Sequence, residues 1–572
     1  MMTFLIFVLL FFAGCGGSNG AETDDSWLFE SSDNSVSDFS QDNCSAEEPS
    51  YERAAPPEIV LPQDFPAEYA GDMNCQPLPE PTDSAIFLGE GCYYGCLKVE
   101  GELKIAGEGS GKTLLFCNDA ESSSAIEVKQ NSIVILESLS ISSLSRGLTL
   151  DHGASARIVG SAVYGCMKGG INACQSGEGC RSDLTVLDSY IGEMSDESDI
   201  GYGISFGCGG LKVEKSRISH LASFGIGIWG EDSCRADAEI KDSVVSDIYG
   251  MLRDDDGICF FAEGGARISI KNTVFENCGR SFALFFSDNA EQEVTLTDLS
   301  ASGIGEGEAE QGGIVFEGAV SAELERVSIT DSKGYGIFSL GAEFTAEDLS
   351  ISVVASDGFG DNGFGLLLAD GAETEIRRLE VRSAERAGIL ADGLTRTEIC
   401  DFEVSGTASD RRYLEFGIGI ALQNGAEVTL DRGLVDKNRE SGILVSGSRL
   451  ELRDALIQRT MPRECSGSPS GCLFAPEADF GHGISLYSGS ELFFDGVVIA
   501  ASNNGLNLEA SSLTGSPENI VFNNNVTAVN AWNVDNYDEL SEKLKGSVFC
   551  GNSSVFTSDF QPVRGEIDDI FF

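Results

Sequence analysis

A glycine followed by isoleucine or leucine returns at a regular interval through most of this chain, and this repeat restricts the possible folds more than any other feature. Self-similarity with a period of about 20 to 50 residues predicts a solenoid, in which each unit buries its apolar face only against its neighbours. The pair occurs at Gly147-Leu148, Gly170-Ile171, Gly203-Ile204, Gly227-Ile228, Gly257-Ile258, Gly313-Ile314, Gly336-Ile337, Gly365-Leu366, Gly388-Ile389, Gly419-Ile420, Gly442-Ile443, Gly483-Ile484 and Gly505-Leu506.

Each unit continues with a turn and then with alternating apolar residues. Alternation with period two predicts strands that send every second side chain inward. Many of the turns are Gly-Ala, at glycines 153, 265, 318, 341, 371 and 425. Glycine suits a corner that requires positive φ. The shortest interval, 23 residues from Gly313 to Gly336, holds three short strands per turn.

This pattern resembles the right-handed parallel β-helix of the pectate-lyase-like superfamily over residues 98–530. The resemblance implies an all-β solenoid of about fifteen coils, about 70 Å long, with N- and C-terminal caps. A hexapeptide helix needs a shorter period, and leucine-rich repeats need helical segments, which the sequence lacks. One interior ladder is expected from Ile228, Ile258, Ile314, Ile337, Ile389, Ile420, Ile443 and Ile484.

The intervals between the glycines alternate between short and long. From Gly313 onward they are 23, 29, 23, 31, 23 and 41 residues. The extra residues always stand just before the Gly-Ile pair, which places all of the long turns on one side of the solenoid. We therefore predict that this side is the working face.

The segments outside the repeat suggest the remaining domains. Residues 59–97 are expected to form an N-terminal cap, and residues 531–572 a C-terminal cap and tail. Within the latter, the stretch from Asn536 to Lys545, followed by Gly546, predicts a short helix. Residues 15–58 are acidic and poor in apolar residues, which predicts a flexible tether.

The N-terminus carries an export signal. A nine-residue apolar run, 4–12, is too short to span a bilayer and precedes Ala13, Gly14 and Cys15. The placement of Cys15 resembles a lipobox, which implies cleavage of residues 1–14 and lipid attachment at Cys15. Phe12 stands where leucine is usual, and no Lys or Arg precedes Cys15. The alternative is an ordinary secretory signal. If Cys15 is lipidated, we expect the protein to be anchored to the outer membrane or cell surface.

The net charge excludes several partners. The chain has 92 acidic and 37 basic side chains, a formal net charge of -55. Such a surface repels nucleic acids and anionic lipid head groups.

One short motif resembles a nucleotide site. Residues 106–113, AGEGSGKT, are close to a phosphate-binding loop, but the following residues have the pattern of a strand rather than a helix, so no nucleotide site is expected. No cofactor is required by any motif, and calcium is the one ion that the acidic turns could bind.

Seventeen cysteines, less the lipidated Cys15, leave an even sixteen in an exported chain, which favours disulfides. Local pairs are possible between Cys92 and Cys96, Cys174 and Cys180, and Cys465 and Cys472. Cys259 and Cys400 are expected to be buried without partners. A zinc site is disfavoured because paired Cys-x-x-Cys motifs are missing and only three histidines are present.

Fragments of a catalytic pattern are present but far apart. The triplet Asp254, Asp255 and Asp256 and the sequence Gly481-His482-Gly483 resemble parts of the polygalacturonase pattern. Carboxylates so distant cannot share one glycosidic bond. The triplet could instead bind calcium. Basic or aromatic candidates on the same face are Arg253, Arg411, Arg412, Tyr413 and His482.

The sequence thus favours a surface-displayed, lipid-anchored module that binds a glycan or a surface protein. A polysaccharide lyase or glycoside hydrolase on the same scaffold is the alternative, and a mechanical spacer is a third possibility. Only three tryptophans are present, Trp27, Trp229 and Trp532, which counts against a dedicated glycan binder.

Overall fold

Parallel strands and the turns between them make up almost all of the described part of the chain. The computed structural model describes residues 75–82, 84–119, 122–174, 181–194, 201–230, 234–250, 257–304, 312–357, 362–410, 416–462, 480–534 and 536–557. These residues belong to one compact unit, Pro56–Phe572.

The strands are short at both ends of the unit and longer in its middle. The first fifteen are β1 Gln76–Pro77, β2 Ala85–Phe87, β3 Gly91–Tyr94, β4 Leu97–Val99, β5 Glu102–Ala106, β6 Thr113–Cys117, β7 Ser124–Val128, β8 Ile133–Glu137, β9 Ser140–Ser143, β10 Arg146–Leu150, β11 Ser155–Val159, β12 Ala162–Tyr164, β13 Gly169–Ala173, β14 Ser182–Leu187 and β15 Tyr190–Met194. The next fifteen are β16 Tyr202–Phe206, β17 Gly209–Glu214, β18 Arg217–Leu221, β19 Phe224–Trp229, β20 Ala236–Lys241, β21 Val244–Ile248, β22 Ile258–Glu263, β23 Ala266–Cys278, β24 Ser281–Ile304, β25 Ile314–Lys333, β26 Tyr335–Leu340, β27 Glu343–Ala355, β28 Phe364–Ala369, β29 Glu373–Ala384 and β30 Ala387–Asp392. The last elements are β31 Arg396–Ser405, β32 Ile418–Gln423, β33 Glu427–Asp436, β34 Ser441–Ser446, β35 Arg449–Gln458, β36 His482–Tyr487, β37 Glu491–Asp495, β38 Val498–Ala500, β39 Asn504–Glu509, β40 Ser512–Leu513, β41 Val521–Asn523, β42 Thr527–Trp532, α1 Tyr537–Lys543, β43 Val548–Cys550 and β44 Ser554–Thr557.

Three parallel sheets run along the solenoid, and each coil contributes one strand or strand segment to each of them. Sheet 1 contains the Gly-Ile strands, in the order β4, β7, β10, β13, β16, β19, β22, the first parts of β24 and β25, β26, β28, β30, β32, β34, β36, β39, β42 and β44. Sheet 2 follows sheet 1 in each coil and runs from β2 and β5 to β37 and β40, and sheet 3 runs from β1 and β3 to β41 and β43. The long middle strands, such as β24, bend through all three sheets. This confirms the predicted parallel β-helix. Its eighteen described rungs in sheet 1 span about 80 Å.

The interior ladder of sheet 1 is continuous from Ile314 to Ile484. Ile420 lies between Ile389 and Ile443 and is fully buried, as predicted. The prediction was wrong for Ile228 and Ile258, because Ile226 and Phe260 take those two rungs. Residues 224–229 contain two consecutive Gly-Ile pairs. Only pairing with the adjacent coils selects the register.

The corners of the coils hold left-handed residues. Five of the six Gly-Ala glycines have positive φ, and at the sixth turn Gly264 takes that conformation instead of Gly265. At the corner between sheets 2 and 3 the left-handed position is often Asp or Arg in alternate coils. Asp298, Arg326, Asp348, Arg378, Asp401 and Arg432 all have φ between 53° and 60°. Arg432 donates from Nε and Nη2 to both carboxylate oxygens of Asp401, at 2.8 and 3.1 Å.

Parallel pairing extends beyond the predicted limits of residues 98 and 530, since β2 already pairs with β5, and β44 pairs with β42. The helix expected from Asn536 is present as α1, with Asn536 as its N-cap. Lys543 Nζ donates to the carbonyl of Leu513 at 2.6 Å, and Leu540 is buried. The helix therefore packs beside β40, the last strand of sheet 2.

The disulfides differ from the predicted local pairs. Cys92 bonds Cys75 rather than Cys96, and Cys96 bonds Cys117. Cys259 was expected to be unpaired but bonds Cys278. Stacking brings together cysteines 17 to 21 residues apart, which sequence proximity does not reveal. Cys174 is also disulfide-bonded, whereas Cys180, Cys465 and Cys472 lie outside the described residues. Cys400 is a free thiol, half-buried rather than buried.

Candidate functional site

Six long connections enter sheet 1 from sheet 3. They precede β16, β22, β25, β28, β32 and β36. The strands between them in sheet 1, β19, β24, β26, β30 and β34, follow short connections, as does β39 after the last long one. The long connections therefore begin and end at one corner, on alternate coils, as the glycine intervals predicted. The outer face of sheet 1 borders this corner and is the candidate binding face.

Most of the individually predicted site residues fall in these connections or in the N-terminal segment. Arg253, Asp254, Asp255, Asp256, Arg411, Arg412, Tyr413 and the lipidation candidate Cys15 lie outside the described residues. Of the predicted site residues, only His482 lies within the described part of the chain. Where it does describe the chain, no group of three or more His, Cys, Asp or Glu is arranged to hold a metal ion.

Backbone geometry explains the Gly-His-Gly fragment. Several long connections end in a glycine of positive φ, for example Gly363 at 98°, Gly417 at 101° and Gly481 at 92°. A Cβ on Gly417 would lie 2.7 Å from the Cβ of Arg439 in the next coil. The pattern Gly-x-Gly thus recurs as a packing requirement. His482 occupies the variable middle position.

His482 is buried on the outer face of sheet 1. Its Nδ1 lies 3.0 Å from Asn504 Nδ2, and its backbone N–H donates to the carbonyl of Glu440. Ile258, two residues after Asp256, is eight rungs away, about 38 Å. The described residue nearest to the Asp254–Asp256 triplet is therefore far from His482, and the triplet itself lies outside the described residues.

A buried polar ladder continues beside His482. Asn507 Nδ2 donates to the hydroxyl of Tyr487 at 3.0 Å, and Asn530 Nδ2 donates to Asn507 Oδ1 at 2.8 Å. Burial raises the pKa of Tyr487 to about 12, so its phenol is neutral at physiological pH. Burial also raises the pKa of the Glu509 carboxyl, one rung further along. Both groups thus lie in a partly dehydrated setting.

Aromatic side chains form two clusters on the same face, nearer the N-terminus. In the first, Tyr202 stacks on Phe224 at 5.2 Å between centroids, and Trp229 contacts Phe224 at 5.3 Å and Phe261 at 5.8 Å. In the second, Tyr335 stacks on Phe338 at 5.1 Å and on Phe364 at 6.0 Å.

The sequence analysis missed both aromatic clusters. Each cluster joins a pair from one strand, Phe224 with Trp229 or Tyr335 with Phe338, to aromatic residues of neighbouring coils, which only the stacking of sheet 1 brings together. The available signal was the position of each aromatic residue relative to the Gly-Ile pair. That position was ambiguous at 224–229, where the register was misread.

Comparisons with known proteins identify the architecture. The right-handed β-helix family model matches residues 124–298 and 283–457, together more than half of the chain. A search of curated proteins found no match. Among solved structures, the chain is similar to the catalytic unit of a GH87 α-1,3-glucanase from Streptomyces thermodiastaticus, with 10% identity, a TM-score of 0.17, and coverage of 87% of this chain and 72% of that one. It is also similar to the A-module of the mannuronan C-5 epimerase AlgE4 from Azotobacter vinelandii, with 12% identity, a TM-score of 0.16, and coverage of 84% and 89%.

At TM-scores this low, the activity of neither enzyme transfers to this chain. Within the described ranges, no helix is long and apolar enough to cross a membrane. The family match and the continuous stacking of three parallel sheets lead to the same conclusion. This chain belongs to the family of right-handed β-helix proteins.

Proposed function

We propose that this protein is a lipid-anchored binding protein of the bacterial cell surface that holds an extended glycan along the outer face of sheet 1. The observation that supports this most is the location of the two aromatic clusters. Both lie outside the interior of the solenoid, on the sheet face bordered by the six long connections, where Tyr202 and Phe364 are buried and the other rings are half-buried. Aromatic rings offer apolar faces to the C–H groups of a sugar ring while polar neighbours bind its hydroxyls.

The spacing favours a polymer over a small molecule. From the rung of Tyr202 to that of Phe364 the face extends over six rungs, about 29 Å. A ligand that reaches both clusters must be elongated and lie along the solenoid axis. A polysaccharide meets this requirement.

The anchor and the ion are further parts of the proposal. Lipid attached at Cys15 would hold the unit at the membrane through the acidic segment 15–58. Carboxylates of the long connections, Asp254, Asp255 and Asp256 among them, would bind calcium and stiffen the border of the face.

The binding proposal is tested with the full chain, purified in mild detergent, against a panel of polysaccharides by isothermal titration calorimetry. Trp229→Ala should weaken the binding of any positive ligand about ten-fold, because a central aromatic contact is lost. Phe87→Ala is the matched control, since Phe87 is an aromatic residue 74% exposed on sheet 2. Equal losses in the two variants, or no ligand in the panel, would refute the proposal.

A polysaccharide lyase or hydrolase is the second candidate, favoured by Tyr487 and Glu509. A carboxyl whose pKa is raised by burial, as that of Glu509 is, is a candidate proton donor to a leaving group. Turnover would appear as new reducing ends, or as ultraviolet absorbance from unsaturated products. Its loss in Tyr487→Phe or Glu509→Gln, with binding retained, would establish an enzyme.

A further inference from the structure

Two cysteines of consecutive coils lie side by side at the corner between sheets 1 and 2. Cys208 directly precedes β17, and Cys234 stands two residues before β20. These two strands are paired, and the N–H of Gly209 donates to the carbonyl of Arg235 at 3.4 Å, so the coils are still in contact at the corner. Cys208 Sγ lies 2.6 Å from the carbonyl oxygen of Cys234. Stacking therefore brings together two thiols that are 26 residues apart in the sequence.

The same arrangement occurs at a disulfide of this structure. By the register of β17 with β20, Cys208 stands level with Arg235 and is one position ahead of Cys234 along the strand direction. By the register of β3 with β6, Cys96 is likewise one position ahead of Cys117, and these two cysteines are bonded, with Cα atoms 5.0 Å apart. Residues of adjacent parallel strands that are offset by one position have Cα atoms about 6 Å apart, which is within the range of most disulfides. The backbone at this corner therefore permits an S–S bond.

The other thiols among the described residues lie in different surroundings. Cys166 is buried, and its Sγ donates within its own coil, to the carbonyl of Tyr164. The positions level with Cys400 in the two neighbouring coils hold arginine and aspartate, and the position level with Cys550 holds asparagine. Among these thiols, the pair at the corner between sheets 1 and 2 is thus the one that stacking aligns for a disulfide.

We infer that Cys208 and Cys234 are oxidised to a disulfide that joins two consecutive coils of the solenoid. Cys234 is half-buried whereas Cys208 is buried, so the Cys234 thiolate is the one that attacks the disulfide of a thiol–disulfide oxidoreductase. Cys208 then attacks the Cys234 sulfur of this mixed disulfide, and the oxidoreductase leaves as a dithiol. The two thiols of the chain lose two electrons and two protons, which the oxidoreductase gains.

The bond fastens the connection that follows the strand of Trp229. Six residues separate β19 from β20, whereas two residues separate β16 from β17 in the preceding coil. The disulfide ties the longer connection to the shorter one and stabilises this part of the solenoid, chiefly by restricting the unfolded chain. The inference is independent of the proposed glycan binding, which holds or fails separately.

Peptide mapping of the exported full chain tests the bond. The protein is collected in N-ethylmaleimide, which blocks every remaining thiol, and is digested with trypsin without reduction. Cleavage after lysine and arginine leaves Cys208 in peptide 182–212 and Cys234 in peptide 218–235, each with a single cysteine. The two peptides should be recovered as one species, two hydrogens lighter than their sum, that separates on reduction. Cys400, in peptide 397–411, is the matched control and should carry the maleimide.

Maleimide on both Cys208 and Cys234 would overturn the inference, and so would a bond from either of them to a third cysteine, such as Cys174. The melting temperature is a second readout. Cys208→Ala, Cys234→Ala and the double variant should all melt several degrees below the oxidised wild type and close to one another, because each removes the same bond. Cys400→Ala should melt like the wild type. Losses that add in the double variant would show that the two side chains act separately, against the inference.

Discussion

Removing side-chain volume at Ile420 tests the stacked core most directly. Ile420 is fully buried between Ile389 and Ile443, on three consecutive rungs of sheet 1. Ile420→Val should lower the free energy of unfolding by about 0.5–1.5 kcal/mol and Ile420→Ala by about 2–5 kcal/mol, because each leaves a cavity that neighbouring coils cannot fill. Ile133→Ala is the control, since Ile133 is 43% exposed on β8 and should lose under about 1 kcal/mol.

Ile420→Asp should be the most destabilising change, because it buries an unpaired carboxylate. Burial would raise the pKa of this carboxyl in the folded state. The variant should therefore lose further stability as the pH rises above the unfolded value of about 3.9.

The assay is urea unfolding followed by circular dichroism, combined with limited proteolysis. Each coil of a solenoid is stabilised by its immediate neighbours, so new cleavage sites should appear near β32 before the rest of the chain unfolds. If Ile420→Ala were no more destabilising than Ile133→Ala, the stacked-ladder account of stability would be wrong.

Four further predictions follow from the same structure. The Asp298 carboxyl has a lowered pKa, chiefly through its hydrogen bond to Arg326. Its contribution to the free energy of unfolding, under about 1 kcal/mol at this exposure, should be present above pH 4 and disappear as the pH falls through the folded-state pKa. Arg326→Ala should therefore give a flatter profile of stability against pH in acid unfolding. Gly417→Ala should destabilise by more than about 1 kcal/mol in thermal unfolding, because φ is 101° and the Cβ would meet Arg439, whereas Gly546→Ala, with no atom within 4 Å, should not. Cys15→Ala should abolish fatty-acid labelling and release the protein from membranes, and retained labelling would contradict lipidation at Cys15. Millimolar calcium should raise the melting temperature, and replacing Asp254, Asp255 and Asp256 with Asn should remove part of that rise; no calcium effect would leave these residues as solubilising charge.

The sequence alone determined the solenoid, its three strands per coil and the corner that receives the long connections. These properties are local and periodic. A Gly-Ile pair marks one strand, alternation marks which side chains face inward, and most insertions lengthen the same turn. The short helix α1 could likewise be predicted, because its N-cap Asn536 and the following Gly546 are close to it in the sequence.

Only the tertiary structure decided which residues of neighbouring coils lie side by side. Ile226 rather than Ile228 joins the ladder, Cys75 rather than Cys96 bonds Cys92, and Arg146 meets Tyr202 across 56 residues. Coil lengths vary, so a residue's place in a column cannot be counted from the repeat. That place is set by the register of backbone hydrogen bonds between stacked strands. A shift of this register by one residue would turn every side chain of a strand to the opposite face.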